Sequence, residues 1–240
     1  MKNMFKNKIA VLTPTIRLEG LKIVQKALEE QNFEDFDWYI GSPQEPKNIW
    51  GTWVQDDFKG GVWTLNRIYN KLIKESNGEL IVSWQDFTYG DPNILSTLWQ
   101  RYQDNKKSLV SVVGNKYIDD SFTLESWFDP RITAFKLRET DFQDVEWNLC
   151  SCPRVALEEV GGFDSDMDFK FFGMDGFNVN QRLSELDYKF FVDSTVRTYS
   201  LMHGRVPDWE EKNGIHGLYQ QHIEERKKNG EWPKLEYLKG

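Results

Sequence analysis

Residues Lys8 to Thr15 read Lys-Ile-Ala-Val-Leu-Thr-Pro-Thr, four apolar residues in a row closed by a proline between two threonines. A short apolar run stopped by proline is the pattern of a buried strand. Beyond it, Leu18, Leu21, Ile23, Val24, Ala27 and Leu28 recur near helical spacing, which predicts a helix over 17–31. Phe36 to Ile40 predicts a second strand, stopped by Gly41-Ser42-Pro43. Residues 42 to 60 lack periodicity, hold two prolines and the pair Asp56-Asp57, and read as a loop. Val62, Leu65, Ile68, Tyr69, Leu72 and Ile73 then share one helical face, with Asn77-Gly78 as the expected stop.

The alternation continues. Leu80 to Trp84 predicts a third strand, Asp91-Pro92 a helix start running to about Asp104, and Ser108 to Val113 a fourth strand. Strands alternating with helices imply an α/β fold, a doubly wound, mostly parallel central sheet with helices on both faces. Ligands of such sheets bind beyond the carboxyl ends of the strands, here Thr13-Pro14-Thr15, Gly41-Ser42 and Trp84-Gln85-Asp86. Residues 114 to 147 read as irregular. A short helix over Pro153 to Val160 is closed by Gly161-Gly162, a further helix covers Asp175 to Leu186, and strands cover 189–193 and 196–201. The charged stretch 205–240 carries Trp209, Tyr219, Trp232 and Tyr237. With 240 residues and no internal repeat or linker, one domain is expected, 1–204, in two halves, 1–113 and 114–204, with 205–240 a helical or irregular extension packed on it.

Composition narrows the function. A net charge of -8 argues against nucleic acid as partner, since phosphate neutralisation needs a basic face. No apolar run approaches the ~20 residues of a membrane span, and the first residues hold no apolar signal core, so a cytoplasmic location is expected. Cys150 and Cys152, one residue apart, are poorly placed for a mutual disulfide and read as reduced structural cysteines. The ten tryptophans and nine tyrosines are a heavy aromatic load; most are expected in the core, but sugar-handling proteins also use such rings, on which the apolar face of a sugar stacks.

Three residues carry candidate chemistry. Asp86, at a strand end on the ligand edge, can hold a divalent cation that also grips a diphosphate. Asp175 opens a helix, where free N–H groups stabilise a carboxylate that can accept a proton from a hydroxyl. His203 follows the last strand beside Arg205, and a histidine there can bind an anion or a metal. His216 and His222 lie six apart without a ligand pattern and receive no role. Absent are G-x-G-x-x-G after the first strand, a Walker loop and a G-x-S-x-G elbow, which excludes the commonest dinucleotide, P-loop and hydrolase designs.

Taken in order, Ile-Ala-Val-Leu-Thr-Pro-Thr, Gly60-Gly61, Leu65-Asn66-Arg67, Asn77-Gly78-Glu79, Gln85-Asp86, Gly161-Gly162-Phe163-Asp164, Met174-Asp175, Arg182 and His203 resemble a family 2 glycosyltransferase of the nucleotide-sugar-dependent GT-A fold. The resemblance runs from about Lys8 to His203 and implies a nucleotide-binding half, 1–113, and an acceptor and catalytic half, 114–204. It implies a donor site of Thr13, Pro14, Thr15, Arg17, Asn66, Gln85 and Asp86, with Asn66 near the nucleoside. It implies Asp86 and His203 on one Mn²⁺ or Mg²⁺ ion, Asp164 and Trp147 on the acceptor side, and Asp175 as base. Transfer from a UDP- or GDP-type sugar donor to a saccharide or glycoconjugate hydroxyl, with inversion, is the implied reaction. Two departures stand out. The family carries two or three acids where this chain has Gln85-Asp86-Phe87-Thr88, and an acid after the second strand where this chain has Gly41-Ser42, leaving Asp56 or Asp57 as substitutes. A catalytically silent sugar or nucleotide-sugar binding module is the competing reading.

Overall fold

The computed structural model describes residues 7–59, 64–132, 134–168, 175–202 and 215–238. The apolar run at the N-terminus is β1 (Asn7–Pro14), and the helix after it is α1 (Leu21–Glu29), entered through a single 3₁₀ turn at Leu18–Gly20. There follow β2 (Phe36–Ser42), β3 (Thr52–Gln55), α2 (Leu65–Glu75), β4 (Gly78–Trp84), β5 (Thr88–Gly90), α3 (Ile94–Asp104) and β6 (Ser108–Tyr117). The second half holds β7 (Glu125–Trp127), β8 (Leu137–Thr140), β9 (Leu149–Pro153), α4 (Arg154–Glu159), α5 (Asp175–Ser184), β10 (Lys189–Leu201) and α6 (Ile215–Lys228).

One sheet joins them in the order β3-β2-β1-β4-β9-β6-β10-β5, with β7 added on β6 and β8 on β10. β3, β2, β1 and β4 are mutually parallel, β9 is inserted antiparallel between β4 and β6, and β10 runs parallel to β6. Six strands of that path therefore share one direction, and only β9 and β5 oppose it. The expected mostly parallel α/β sheet is present. Helices cover both faces, because successive side chains of β1 point opposite ways. Ala10 and Leu12 pack with Ile68 and Leu72 of α2, Leu157 of α4 and Val179 of α5. Ile9 and Val11 pack instead with Leu21 and Val24 of α1 and Leu95 and Leu98 of α3.

Several local readings differ, each for a physical reason. Residues 42–60 are not all loop: Thr52–Gln55 pairs with β2, although only Val54 of its four side chains is buried. Within 114–147 lie β7, β8 and a 3₁₀ turn at Phe142–Asp144. Leu149–Pro153 is a strand whose small Cys-Ser-Cys centre fits the crowded middle of the sheet. Its cysteines are free and fully buried, and burial pushes both thiols up. Gly78 does not close α2. It opens β4, where a Cβ would stand 2.3 Å from the Ala10 amide nitrogen. Asp91 is not the residue before α3. Its carboxylate accepts from the Arg197 amide at 2.8 Å, tying β5 to β10, and α3 starts at Ile94. The last two strands are one, β10, with an irregularity between Asp193 and Arg197.

Candidate functional site

The shared strand direction brings the ends of β1, β2, β3 and β4 to one edge of the sheet. There Thr13 and Thr15 are fully buried. The Thr13 hydroxyl accepts from the Trp38 indole N–H at 2.9 Å, and the Thr15 amide donates to the Gly41 carbonyl at 2.8 Å. Pro14 completes β1 between them, paired with Gly41. Asp56 follows β3, is 5% exposed, and donates its amide to the Ser42 carbonyl at 2.9 Å. An acidic side chain thus flanks the end of β2 from the neighbouring strand, whereas Asp57 is exposed.

Asp86 stands just beyond β4, where Phe87 turns the chain through a left-handed φ of 57°. Gly20 permits that turn: a Cβ there would meet the Phe87 ring at 2.5 Å. Both Asp86 oxygens are engaged. Oδ1 accepts from Arg17 NH2 at 2.9 Å, and Oδ2 accepts from Arg17 Nε at 3.2 Å and from the Thr15 hydroxyl at 2.6 Å. The Thr15 hydroxyl also accepts from the Arg17 amide at 2.8 Å, so Thr15, Arg17 and Asp86 are mutually bonded. Gln85 donates its amide to the Asn148 carbonyl at 2.9 Å. Thr88, two residues beyond Asp86, is buried and its hydroxyl lies 3.0 Å from that of Ser200.

Mn²⁺ and Mg²⁺ favour several oxygen ligands around the ion. Among the described residues no group of three His, Cys, Asp or Glu side chains could hold a metal ion. Asp86 is one carboxylate with a guanidinium seated on it, and these described residues do not fit a divalent cation. His203 lies outside the described residues, as do Arg205, Met174 and Gly60-Gly61; the side chain of Asp175 does too.

Asn66 is the second residue of α2. Its amide and side-chain N–H₂ both donate to Asp168 Oδ1, at 2.7 and 2.8 Å, and the Arg67 amide donates to Oδ2 at 3.1 Å. Asp168 therefore caps α2 from a distant loop. Burial pushes its carboxyl up to about 6, against those hydrogen bonds. Sequence reasoning missed it, because no local capping spacing marks a residue 102 positions away.

The two residues expected on the acceptor side lie in the interior. Trp147 is 6% exposed, packs edge-on to Phe163 at 4.9 Å, and donates its indole N–H to Asn180 of α5 at 3.0 Å. Asp164 is fully buried. It accepts from Arg226 NH2 at 3.0 Å and the Tyr237 hydroxyl at 3.1 Å, and lies 2.8 Å from His222 Nε2. His222 and Arg226 belong to α6, so the C-terminal segment is bonded to the loop that leads toward α5. Burial opposes the Asp164 charge, but the His222 hydrogen bond and the Arg226, His222 and Arg182 charges outweigh it and hold the carboxyl at about 2.

A folded value below the ordinary 3.8 stabilises the protein above that pH, and the gain disappears as pH falls through about 2. We expect unfolding free energy to drop by roughly 2 kcal/mol between about pH 4 and pH 2 on this account. Asp164→Asn, followed by urea titration across that range, should flatten this limb. An unchanged slope would count against the Asp164 cluster as its source.

These elements define a single-domain α/β protein with a glycosyltransferase-like fold. No protein-family model matches the chain, and no curated protein matches it in sequence. Among solved structures it is similar to residues 1–349 of S. aureus TarS in complex with UDP, with TM-score 0.61 and 10% identity over 81% of this chain. S. aureus TarS in a second structure gives TM-score 0.59 and 12% identity, again over 81% of this chain. The chain spans 60% of the first of these and 37% of the second. Identity this low shows the fold alone. No helix among the described residues is long and apolar enough to cross a membrane.

Proposed function

We propose that this protein is a glycosyltransferase that moves a sugar from a nucleotide-diphosphate donor to a hydroxyl of a saccharide or glycoconjugate. The carrying observation is the bonded group Thr15–Arg17–Asp86 at the carboxyl edge of a sheet whose fold is shared with a UDP-bound protein. In this reading Thr13, Pro14, Thr15 and Asn66 border the nucleoside, and Asp56 supplies the acid expected beside β2. Asp175, at the head of α5, takes the acceptor proton as the hydroxyl oxygen bonds the anomeric carbon. The bond from that carbon to the diphosphate oxygen breaks on the opposite face, and its electron pair leaves with the diphosphate. Configuration therefore inverts. We place the reaction in the cytoplasm, in the assembly of a polysaccharide.

Incubation with UDP-, GDP- and dTDP-sugars, scored as free nucleoside diphosphate, tests this directly. Release from one donor class, accelerated by a saccharide acceptor, is the expected result. A protein that binds a nucleotide sugar, seen as a raised melting temperature, yet never releases diphosphate is a binding module instead.

A further inference from the structure

On the nucleotide-sugar reading above, we propose that Arg17 is the cation that meets the donor diphosphate, in the place of the divalent ion that the resemblance implies. The geometry at Asp86 points to this. A guanidinium presents a rigid fork of donors that matches a carboxylate, and here two of its nitrogens, Nε and NH2, lie on the two Asp86 oxygens at 3.2 and 2.9 Å. The pair is asymmetric in exposure: the Arg17 side chain is 21% exposed and that of Asp86 only 2%. An incoming ligand therefore meets the positive member first. A metal ion would have to reach the sheltered carboxylate, remove Arg17 from both oxygens, and break the 2.6 Å bond from Thr15.

The surroundings hold the arrangement in place. The Arg17 guanidinium carbon lies 5.4 Å from the centre of the Phe87 ring, and its amide is bonded to the Thr15 hydroxyl. Thr88 stands where a second acid would bring another ligand, and its hydroxyl faces Ser200 of β10 and the Asp86 carbonyl, at 3.0 and 3.3 Å. Asp86 then acts as a positioning residue. It keeps Arg17 ordered at the strand end, so that the charge is already in place when the bond to the diphosphate oxygen breaks and that oxygen takes the electron pair.

The test is binding of UDP, with GDP in parallel, to the full chain by calorimetry and thermal shift, in EDTA and in excess Mn²⁺. We expect affinities within about twofold of each other in the two conditions. Arg17→Ala should weaken the diphosphate about 10- to 100-fold, the loss of charge-assisted hydrogen bonds, while affinity for the plain nucleoside changes little. Arg17→Lys should recover part of the loss, and equal melting temperatures of the unliganded variants would show that the fold is intact. Binding of UDP or GDP only with Mn²⁺ overturns this proposal and leaves the transferase reading standing. So does an Arg17→Ala variant that loses nucleoside and diphosphate equally. Failure of every nucleotide and nucleoside to bind under either condition overturns both.

Discussion

Asp175→Asn should lower the transfer rate by about 10²–10⁴ while nucleoside diphosphate affinity stays within a few fold of the original. The substitution separates two roles that one carboxylate at a helix head can have. Asn favours a helix start about as well as Asp, so loss of a structural role would leave rate and stability almost unchanged. Loss of a base removes the group that takes the acceptor proton, and only the rate falls. Unfolding midpoints of the two proteins should therefore agree within about 0.5 kcal/mol.

The backbone just after Asp175 is closely packed. Gly176, the next residue, packs against Trp147, where a Cβ would stand 2.4 Å from ring atom Cδ1. Trp147 is bonded to Asn180 one turn on, and its carbonyl accepts from the Ser83 hydroxyl of β4 at 2.6 Å. Ser83 lies three residues before Asp86. A chain of short bonds thus runs from β4, the strand that leads into Asp86, to the helix that carries the proposed base. Full transfer activity in Asp175→Asn, with stability unchanged, would remove the base assignment and leave the residue a helix-start residue alone.

What was legible in the sequence follows from where periodicity is strong. β1, α1, α2 and β4 are continuous or cleanly amphipathic, and their positions were readable to within a few residues. β3 and β9 were not. β3 is a four-residue edge strand with one buried side chain, and β9 carries Cys-Ser-Cys where β-branched residues would have signalled a strand. α6 was hidden because only Tyr219, His222 and Ile223 of its described side chains are buried, amid charge. At the candidate site, residue types were legible and partnerships were not. Arg17 and Asp86 are 69 positions apart, and only the parallel register of β1 on β4, Leu12 beside Ser83, makes them neighbours. The resemblance puts Asp164 on the acceptor side, but in the fold it caps a 3₁₀ turn through the Asp166 amide and is buried among charged partners. Its partners lie on α6, 58 and 62 positions later.

Arg182→Met should destabilise the protein by about 3–5 kcal/mol, the largest effect on stability we expect from one side chain. Arg182 is fully buried in α5. Its Nε donates to Asn178 at 2.8 Å, and its two terminal nitrogens donate to the carbonyls of Val160 and Gly162 at 2.7 and 2.6 Å. Those carbonyls flank Gly161, in a turn where Gly161 and Gly162 hold left-handed φ values of 72° and 88°. A Cβ on Gly161 would stand 1.7 Å from the Leu235 carbonyl oxygen, so the C-terminal segment rests directly on this turn. Burial lowers the guanidinium to about 10, with the nearby Asp164 charge opposing that shift, so it stays protonated at neutral pH. Methionine fills similar volume yet supplies no donors, which desolvates two carbonyls without replacement and removes positive charge beside Asp164. At this chain length the loss corresponds to a melting temperature lower by roughly 6–20 °C. Because Asp164 also binds α6, protease cleavage within 215–238 should accelerate in the variant, ahead of global unfolding. A melting temperature within about 2 °C of the parent would mean that the buried guanidinium only replaces what an apolar side chain provides equally well.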